Sequence, residues 1–395
     1  MRTPPPDPPL LPTPSAQSDV RVYEFVTPVF GGGVEPKQTD PRTPVRVASV
    51  RGQLRFWWRA VNPRGCTTVD ELRAAEADVF GSTASASPLI VRVKKQPAAP
   101  KPLQVLEGKF RTKAGMEDIA YGAFPLRNEN DESKHGVLHE FKEPFELAFS
   151  YPPQIAGDVD AALWGWAHFG GLGGRTRRGF GAVAQRSPAL VAIDEGWTRF
   201  VSGRAVAWPH LANKPVVAGG REPGDGLAAL KVLLGALRRI RQGRGVGRRR
   251  GEGNTPGRSF WPEADSIRRI LGRSDPAHGE SLTGNTNVFP RGAFGMPIIF
   301  HFKGDRDPAD TTLLPQGLKR MASRLILRPH QRPDGRIEAM AVLLAPALDG
   351  GFELVQGGRG DAPKPVDIAL KVPIEIGQGH RFTDPIARFF EELRK

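Results

Sequence analysis

The sequence predicts an α+β fold made of two ferredoxin-like units with insertions. Three observations carry this. Strand- and helix-forming stretches in residues 18–195 follow the order strand, helix, strand, strand, helix, strand, the β-α-β-β-α-β plan. A looser version of the same alternation recurs in residues 196–395. At 395 residues the chain has room for two domains of ordinary size.

Residues 1–17 are proline-rich and carry no amphipathic period, so a disordered or polyproline-like tail is expected. The stretch also lacks the apolar segment of a secretory signal. Val20 to Phe30 is rich in β-branched and aromatic residues and reads as the first strand, ended by Gly31, Gly32 and Gly33. A helical pattern starts near Ser49, where Leu54, Trp58 and Val61 recur at i, i+4 and i+7. Thr68 with Glu71 three residues on is a capping box that opens a second helix, stopped by Gly81. Leu89 to Lys95 reads as a strand, and 96–143 as a polar, irregular insertion. Phe145, Leu147 and Phe149 alternate, placing a strand over 144–151. Asp158 is the expected cap of a helix running to Phe169. A glycine-rich stretch then leads into a strand at 181–186.

In the second half, helices are expected near 226–241 and 262–271, and strands at 297–303, 322–328, 336–346 and 366–372. Asp384 should cap a terminal helix. This arrangement is shared with the RNA recognition motif, so both units are RRM-like in plan. Fold does not fix function, and the residues must carry the rest.

Lys plus Arg number 56 against 42 Asp plus Glu, a net charge of +14 that suggests a polyanionic partner. The charge is concentrated. Residues 41–65 hold six arginines and no acid, and Arg51, Arg55 and Arg59 fall on one side of the expected helix, with Arg46 just before it. Like charges at that spacing repel, so a row without a nearby acid suits the phosphates of a nucleic acid. Trp57 either packs in the core or stacks on a base. Residues 170–181 read GGLGGRTRRGFG. Gly173 and Gly174 would let the backbone come close to a ligand, and Arg175, Arg177 and Arg178 add charge to the same loop. The loop follows a helix and precedes a strand, the reverse of a dinucleotide fingerprint. A third cluster, 238–258, has eight arginines and one acid; Arg248, Arg249 and Arg250 are its densest run. A weaker set, Arg291, Lys303, Arg320, Arg324 and Arg328, flanks apolar strands.

No catalytic pattern emerges. The eight histidines form no H-E-x-x-H, and there is no HD or GGDD motif and no paired-carboxylate or two-metal pattern. No cofactor or metal is expected. One cysteine, Cys66, cannot form an internal disulfide, which points to a cytoplasmic protein. No apolar run is long enough to span a membrane.

Five blocks together carry a family resemblance: FVTPVFGGG with PRTPVRVASVRGQLRFWWRA, ELRAAEADVFGS, GGLGGRTRRGFG, FPRGAFGMPIIFHF and RMASRLILRP. They resemble the RAMP proteins of type III-B CRISPR systems, specifically the first-subunit family of the Cmr effector complex. The match touches most of residues 20–330. The resemblance implies two ferredoxin-like RAMP domains in one chain, at the head of the complex near the 3′ end of the guide RNA. It implies a non-catalytic subunit in antiviral defence, with guide RNA, target RNA and other Cmr subunits as partners; target cleavage would belong to the backbone subunit. The family's basic helix and glycine loop would map to Arg51, Arg55, Arg59, Gly173, Gly174, Arg175, Arg177 and Arg178. Two other readings stand beside it. A metal-independent CRISPR repeat-processing endoribonuclease of the same superfamily usually has its glycine loop near the C-terminus, whereas here it ends the first unit. A free basic RNA-binding module would act with no complex.

Overall fold

The computed structural model describes residues 17–395 except 36, 99, 109–110, 129–134, 221, 252–256, 274–286, 303–305, 347–350, 358–363, 367–373 and 377–379. The tail call over 1–17 therefore falls outside the described residues save for Gln17. Lys303 and most of the strand expected at 366–372 also lie outside them.

The first unit runs β1 (Gln17–Phe25), α1 (Val47–Val61), α2 (Val69–Phe80) and β2 (Ile90–Lys95). The intervening segment adds β3 (Lys101–Leu103), β4 (Leu106–Glu107), β5 (Arg111–Thr112), α3 (Glu117–Gly122) and β6 (Leu138–Glu140). The unit closes with β7 (Phe145–Tyr151), α4 (Ala156–Phe169) and β8 (Val183–Ser187). Its sheet has the order β2-β7-β1-β8, all neighbours antiparallel. That is the ferredoxin-like arrangement, with the two crossover helices on one face. Tyr23, Phe25, Phe145, Leu147 and Phe149 turn inward under α1 and α4, where Trp58, Trp164 and Trp166 complete the core. The capping box forms as expected: the Thr68 side chain accepts from Glu71 N, and the Glu71 side chain accepts from Thr68 N.

Asp158 does not cap α4. It lies inside the helix, buried, and accepts from Trp58 Nε1 (2.9 Å) and from Arg64 Nε and Nη2 (3.0 and 2.9 Å). Stronger donors on another element win it from the helix end. Segment 96–143 is not irregular either. Val105, Ile119, Ala120, Leu126 and Leu138 share a core with α6 (Gly226–Gln242) and strands of the second half.

Between the units lie α5 (Ile193–Phe200), β9 (His210–Leu211) and β10 (Val216–Val217). After α6 come α7 (Glu263–Ile270), β11 (Ile298–Phe300), β12 (Thr311–Pro315), β13 (Leu325–Gln331), β14 (Ile337–Ala345) and β15 (Phe352–Gln356). β16 (Lys364–Val366), β17 (Ile374–Ile376), β18 (His380–Phe382) and α8 (Pro385–Arg394) end the chain. The second sheet has the order β10-β14-β13, with β9 also on β14. Helix α6 between its first and second strands repeats the first unit's order. A separate sheet, β11-β12-β15-β16, holds a small core of its own around Phe289, Leu313 and Leu354. Asp384 caps α8 as expected, accepting from Ile386 N and Ala387 N. Ile326, Met340, Val342 and Leu344 of the second half join the first unit's core, so the halves pack directly on each other.

Candidate nucleic-acid interface

The α1 arginine row is partly paired from within. Arg55 Nε lies 2.5 Å from Glu76 Oε1, and Arg59 Nη1 lies 2.9 Å from each oxygen of the same carboxylate. Glu76 is 7% exposed. Arg51 instead donates to Leu89 O (2.8 Å), Phe80 O (3.0 Å) and Ser87 Oγ (3.2 Å), and burial with the nearby Arg55 charge pulls its pKa down. Arg46 pairs with Asp40 at 3.3 Å. The sequence reading that no acid meets the row is overturned, because the acid sits on α2 rather than in residues 41–65. Trp57 is 2% exposed and packs edge-on against Phe56 and tilted against Phe169, which is the core reading. Its indole Nε1–H has no acceptor.

The glycines of 170–181 serve close packing on the chain's own backbone. Gly173 has φ +86°, and a Cβ there would sit 2.8 Å from Phe30 O. Gly174 N donates to that same carbonyl at 2.6 Å. The approach expected toward a ligand is thus made to residues 28–31. The loop's arginines act as staples. Arg175, itself left-handed at φ 55°, donates to Gly122 O at 2.9 Å. Arg177 donates to Ser323 O at 2.5 Å and lies 5.1 Å over the Phe56 ring. Arg178 donates to Phe294 O at 2.9 Å and to Ser323 Oγ at 3.4 Å.

Two further arginines line the same seam between the halves. Arg241, on the last turn of α6, donates to Tyr121 Oη at 3.0 Å and lies over Phe294. Arg328 is 1% exposed and donates to Ala167 O, His168 O and Val183 O. Two of these are the last carbonyls of α4, where a cation meets the negative end of the helix dipole. Among the described residues none of the five guanidiniums has a carboxylate within ion-pair distance. Burial pulls the pKa of Arg178 down to about 10, with the charges of Arg241, Arg175 and Arg177 adding to it, and burial alone pulls Arg328 down to about 9. Arg175 and Arg177 shift the same way for the same cause. Each guanidinium has five N–H donors and uses only some of them here. The seam therefore holds five guanidiniums that meet carbonyls and hydroxyls of the chain.

Arg248 continues the charge past α6. It is half-buried, and its pKa is lowered by burial and by the neighbouring Arg291 charge. Arg249 and Arg250 are exposed, and Arg249 lies 5.9 Å over the Phe260 ring.

The open face of the first sheet carries Val20, Val22, Glu146, Ala148, Ser150, Ile90 and Arg92. No aromatic side chain stands there, so it offers no RRM-type stacking platform. The aromatic residues of these strands point into the core. His168 and His330 are buried and bonded to each other, Nδ1 to Nε2, at 3.0 Å. No group of three metal-ligating side chains occurs among the described residues. None of the described helices is long and apolar enough to cross a membrane.

Sequence reading singled out the loop arginines but not the rest of the seam. Arg328 stood only in the weaker set flanking apolar strands, and Arg241 in the 238–258 cluster beyond the loop. The signal for both is an arginine flanked by apolar residues at strand or helix spacing, which marks a cation turned inward.

Residues 22–184 match the model of the RAMP superfamily. The fold extends the likeness past the RAMP segment. The structure of Cmr1 from Pyrococcus furiosus superposes with a TM-score of 0.50 at 17% identity, covering 88% of this chain and 92% of that one. A chain of the type III-B Cmr-beta complex bound to cognate target RNA gives a TM-score of 0.46 at 11% identity, covering 85% and 96%. Another, from that complex bound to cognate target RNA and AMPPnP in the presence of ssDNA, gives 0.42 at 10%, covering 83% and 94%. No curated protein matches by sequence.

Proposed function

We propose that this chain is a non-catalytic RNA-binding subunit of a type III-B CRISPR effector complex. It binds guide RNA near its 3′ end, target RNA, or both, alongside other Cmr subunits. The observation that carries the reading is the carboxylate-free arginine seam at the glycine-rich loop, formed by Arg175, Arg177, Arg178 and Arg241 above the buried Arg328 and extended outward by Arg248, Arg249 and Arg250. A strand laid along the seam would place phosphates where guanidiniums already stand desolvated. The RAMP match and the fold shared with Cmr1 support the assignment to this kind of complex. In this reading the α1 row and Trp57 hold the fold together, and the loop carries the RNA.

The test is a titration of the full chain with single-stranded guide-repeat RNA over a series of salt concentrations. Each neutralised phosphate contributes about −0.7 to the slope of log K against log salt. The exposed pair Arg249→Glu and Arg250→Glu should weaken binding and flatten that slope. Absence of binding would overturn the proposal. Metal-free cleavage of the repeat RNA, abolished by a single His→Ala change, would overturn the non-catalytic part and favour the endoribonuclease.

A further inference from the structure

Among the described residues the tryptophans, tyrosines and phenylalanines are buried or half-buried, with one exception. Phe124 is 59% exposed. A solitary apolar side chain is ordinary on a protein surface. The base it stands on and the groups around it distinguish this one. Phe124 opens a single 3-10 turn, Phe124–Leu126, directly after α3. Ala123 before it and Leu126 within the turn are 2% and 1% exposed and belong to the core shared with α6. Pro125 restricts the turn further. The end of α3 is seated on α6 and the glycine-rich loop at Gly122, where a Cβ would come within 2.6 Å of Leu234 and 3.1 Å of Phe180. The ring is thus presented to solvent on a fixed backbone, and a partner that covers it has little chain to order.

The surrounding groups are cations. Arg175 of the loop donates to Gly122 O at 2.9 Å. Gly122 lies two residues before Phe124, so their Cα atoms are at most about 7 Å apart. Arg127 N donates to Phe124 O at 3.2 Å, and Lys37 Nζ donates to Arg127 O at 3.0 Å. The Arg127 guanidinium meets only the Thr112 hydroxyl, at 3.2 Å. Among the described residues none of these three cations has a carboxylate within ion-pair distance. An apolar anchor for a protein partner would not call for such a ring of cations. A nucleotide does, because its base seeks an aromatic face while its phosphate seeks a cation close by.

We propose that Phe124 is a base-stacking platform at the Arg175 end of the seam, receiving the unpaired base of a nucleotide whose phosphate meets Arg175, Arg127 or Lys37. The inference rests on the RNA-binding reading above and adds to it a contact that does not depend on charge. Every base has a π-face, so the platform holds a single strand without reading its sequence. A paired strand keeps its bases stacked on one another and offers it none.

The experiment titrates the full chain and Phe124→Ala with single-stranded guide-repeat RNA across a salt series, by fluorescence anisotropy. The substitution should weaken binding about tenfold, the scale of one stacked base, and leave the salt slope unchanged. Phe124→Tyr keeps an aromatic face and should retain most of the affinity. A strand of equal length built from abasic sugar-phosphates should bind Phe124→Ala and the unmodified chain alike, since it has no base to lose. Phe124→Trp gives a reading without loss of the ring: RNA should quench its added indole fluorescence beyond any change in the unmodified chain. Undiminished affinity in Phe124→Ala overturns the platform and leaves the RNA-binding reading standing. An equal loss on the abasic strand, a flattened salt slope or no added quenching in Phe124→Trp overturns it too. A variant that binds RNA normally but no longer co-purifies with other Cmr subunits marks Phe124 as a protein contact and also overturns the platform. Absence of binding by the unmodified chain overturns both proposals.

Discussion

Replacing Glu76 by glutamine removes the carboxylate that neutralises Arg55 and Arg59 while keeping the side chain's size. Three charge-assisted contacts are involved, at 2.5, 2.9 and 2.9 Å. Such bonds contribute about 1.5–3 kcal/mol when sheltered. Here the side chains of Arg55 and Arg59 are 40% and 35% exposed, so solvent screening reduces the expected loss to about 1–2 kcal/mol for the whole network. In a chain of this length that corresponds to a fall in melting temperature of about 1–2.5 °C. Thermal unfolding followed by near-ultraviolet circular dichroism measures it. A second arm separates a structural row from an RNA contact. The triple variant Arg55→Gln, Arg59→Gln, Glu76→Gln deletes the network together with its counter-ion, and RNA binding should keep its affinity and salt slope. Two lost phosphate contacts would instead lower the slope by about 1.4. An unchanged melting temperature in Glu76→Gln, or that loss of slope in the triple variant, would refute the assignment of the row to internal pairing.

Two other outcomes follow from buried polar groups. Asp158→Ala leaves the buried Trp58 Nε1 without its acceptor and Arg64 with Asp78 as its remaining partner, and should cost about 2–3 kcal/mol in denaturant unfolding. Asp158→Asn keeps an acceptor and should cost less; equal losses would contradict this geometry. His168 is held neutral by burial, with the His330 and Arg328 charges acting the same way, and its pKa falls from 6.5 to about 3. His330, facing Glu338, Arg328 and Arg332, is also shifted down, again mainly by burial. A histidine depressed in the folded state binds its proton in the unfolded state first. The stability it contributes is complete above pH ~6.5 and is lost as pH falls toward 3, at up to ~1.4 kcal/mol per pH unit for each such site. Unfolding free energies measured at pH 7.5, 6 and 5 (roughly one step either side of the unfolded histidine value) should decline in that order, and a flat series would show that the pair is not held neutral.

What the sequence made legible was local. The Thr68 capping box, the Asp384 cap and the alternation of Phe145, Leu147 and Phe149 each depend on residues within one turn or one strand. Those features could be read off the chain because the partner of each group lies three or four positions away. The short elements of 96–143 escaped notice because strands of two or three residues have no period to detect, and they hold by pairing with each other and packing against α6. The charge pattern failed for the same reason at longer range. The acid that meets Arg55 and Arg59 comes from the next helix, and the carbonyls that meet Arg328 come from a helix end about 160 positions earlier.

That distinction divides the basic residues into two kinds. On α1, Arg55 and Arg59 share one carboxylate, which cancels part of their field, while Arg51 meets only carbonyls and a hydroxyl. At the glycine-rich loop they found only carbonyls and hydroxyls, which orient a cation without neutralising it. Both sets make several hydrogen bonds within the chain, although Arg241 Nε and Arg328 Nη1 find no acceptor among the described residues. Only the second keeps its full charge, at a seam where burial has already stripped part of its water. A polyanion arriving there replaces the missing counter-ion and faces less desolvation than it would at a hydrated lysine patch. The net charge of +14 suits an anionic partner, and in the proposed reading the difference between Glu76 and Ser323 as the partner of an arginine marks the face to test.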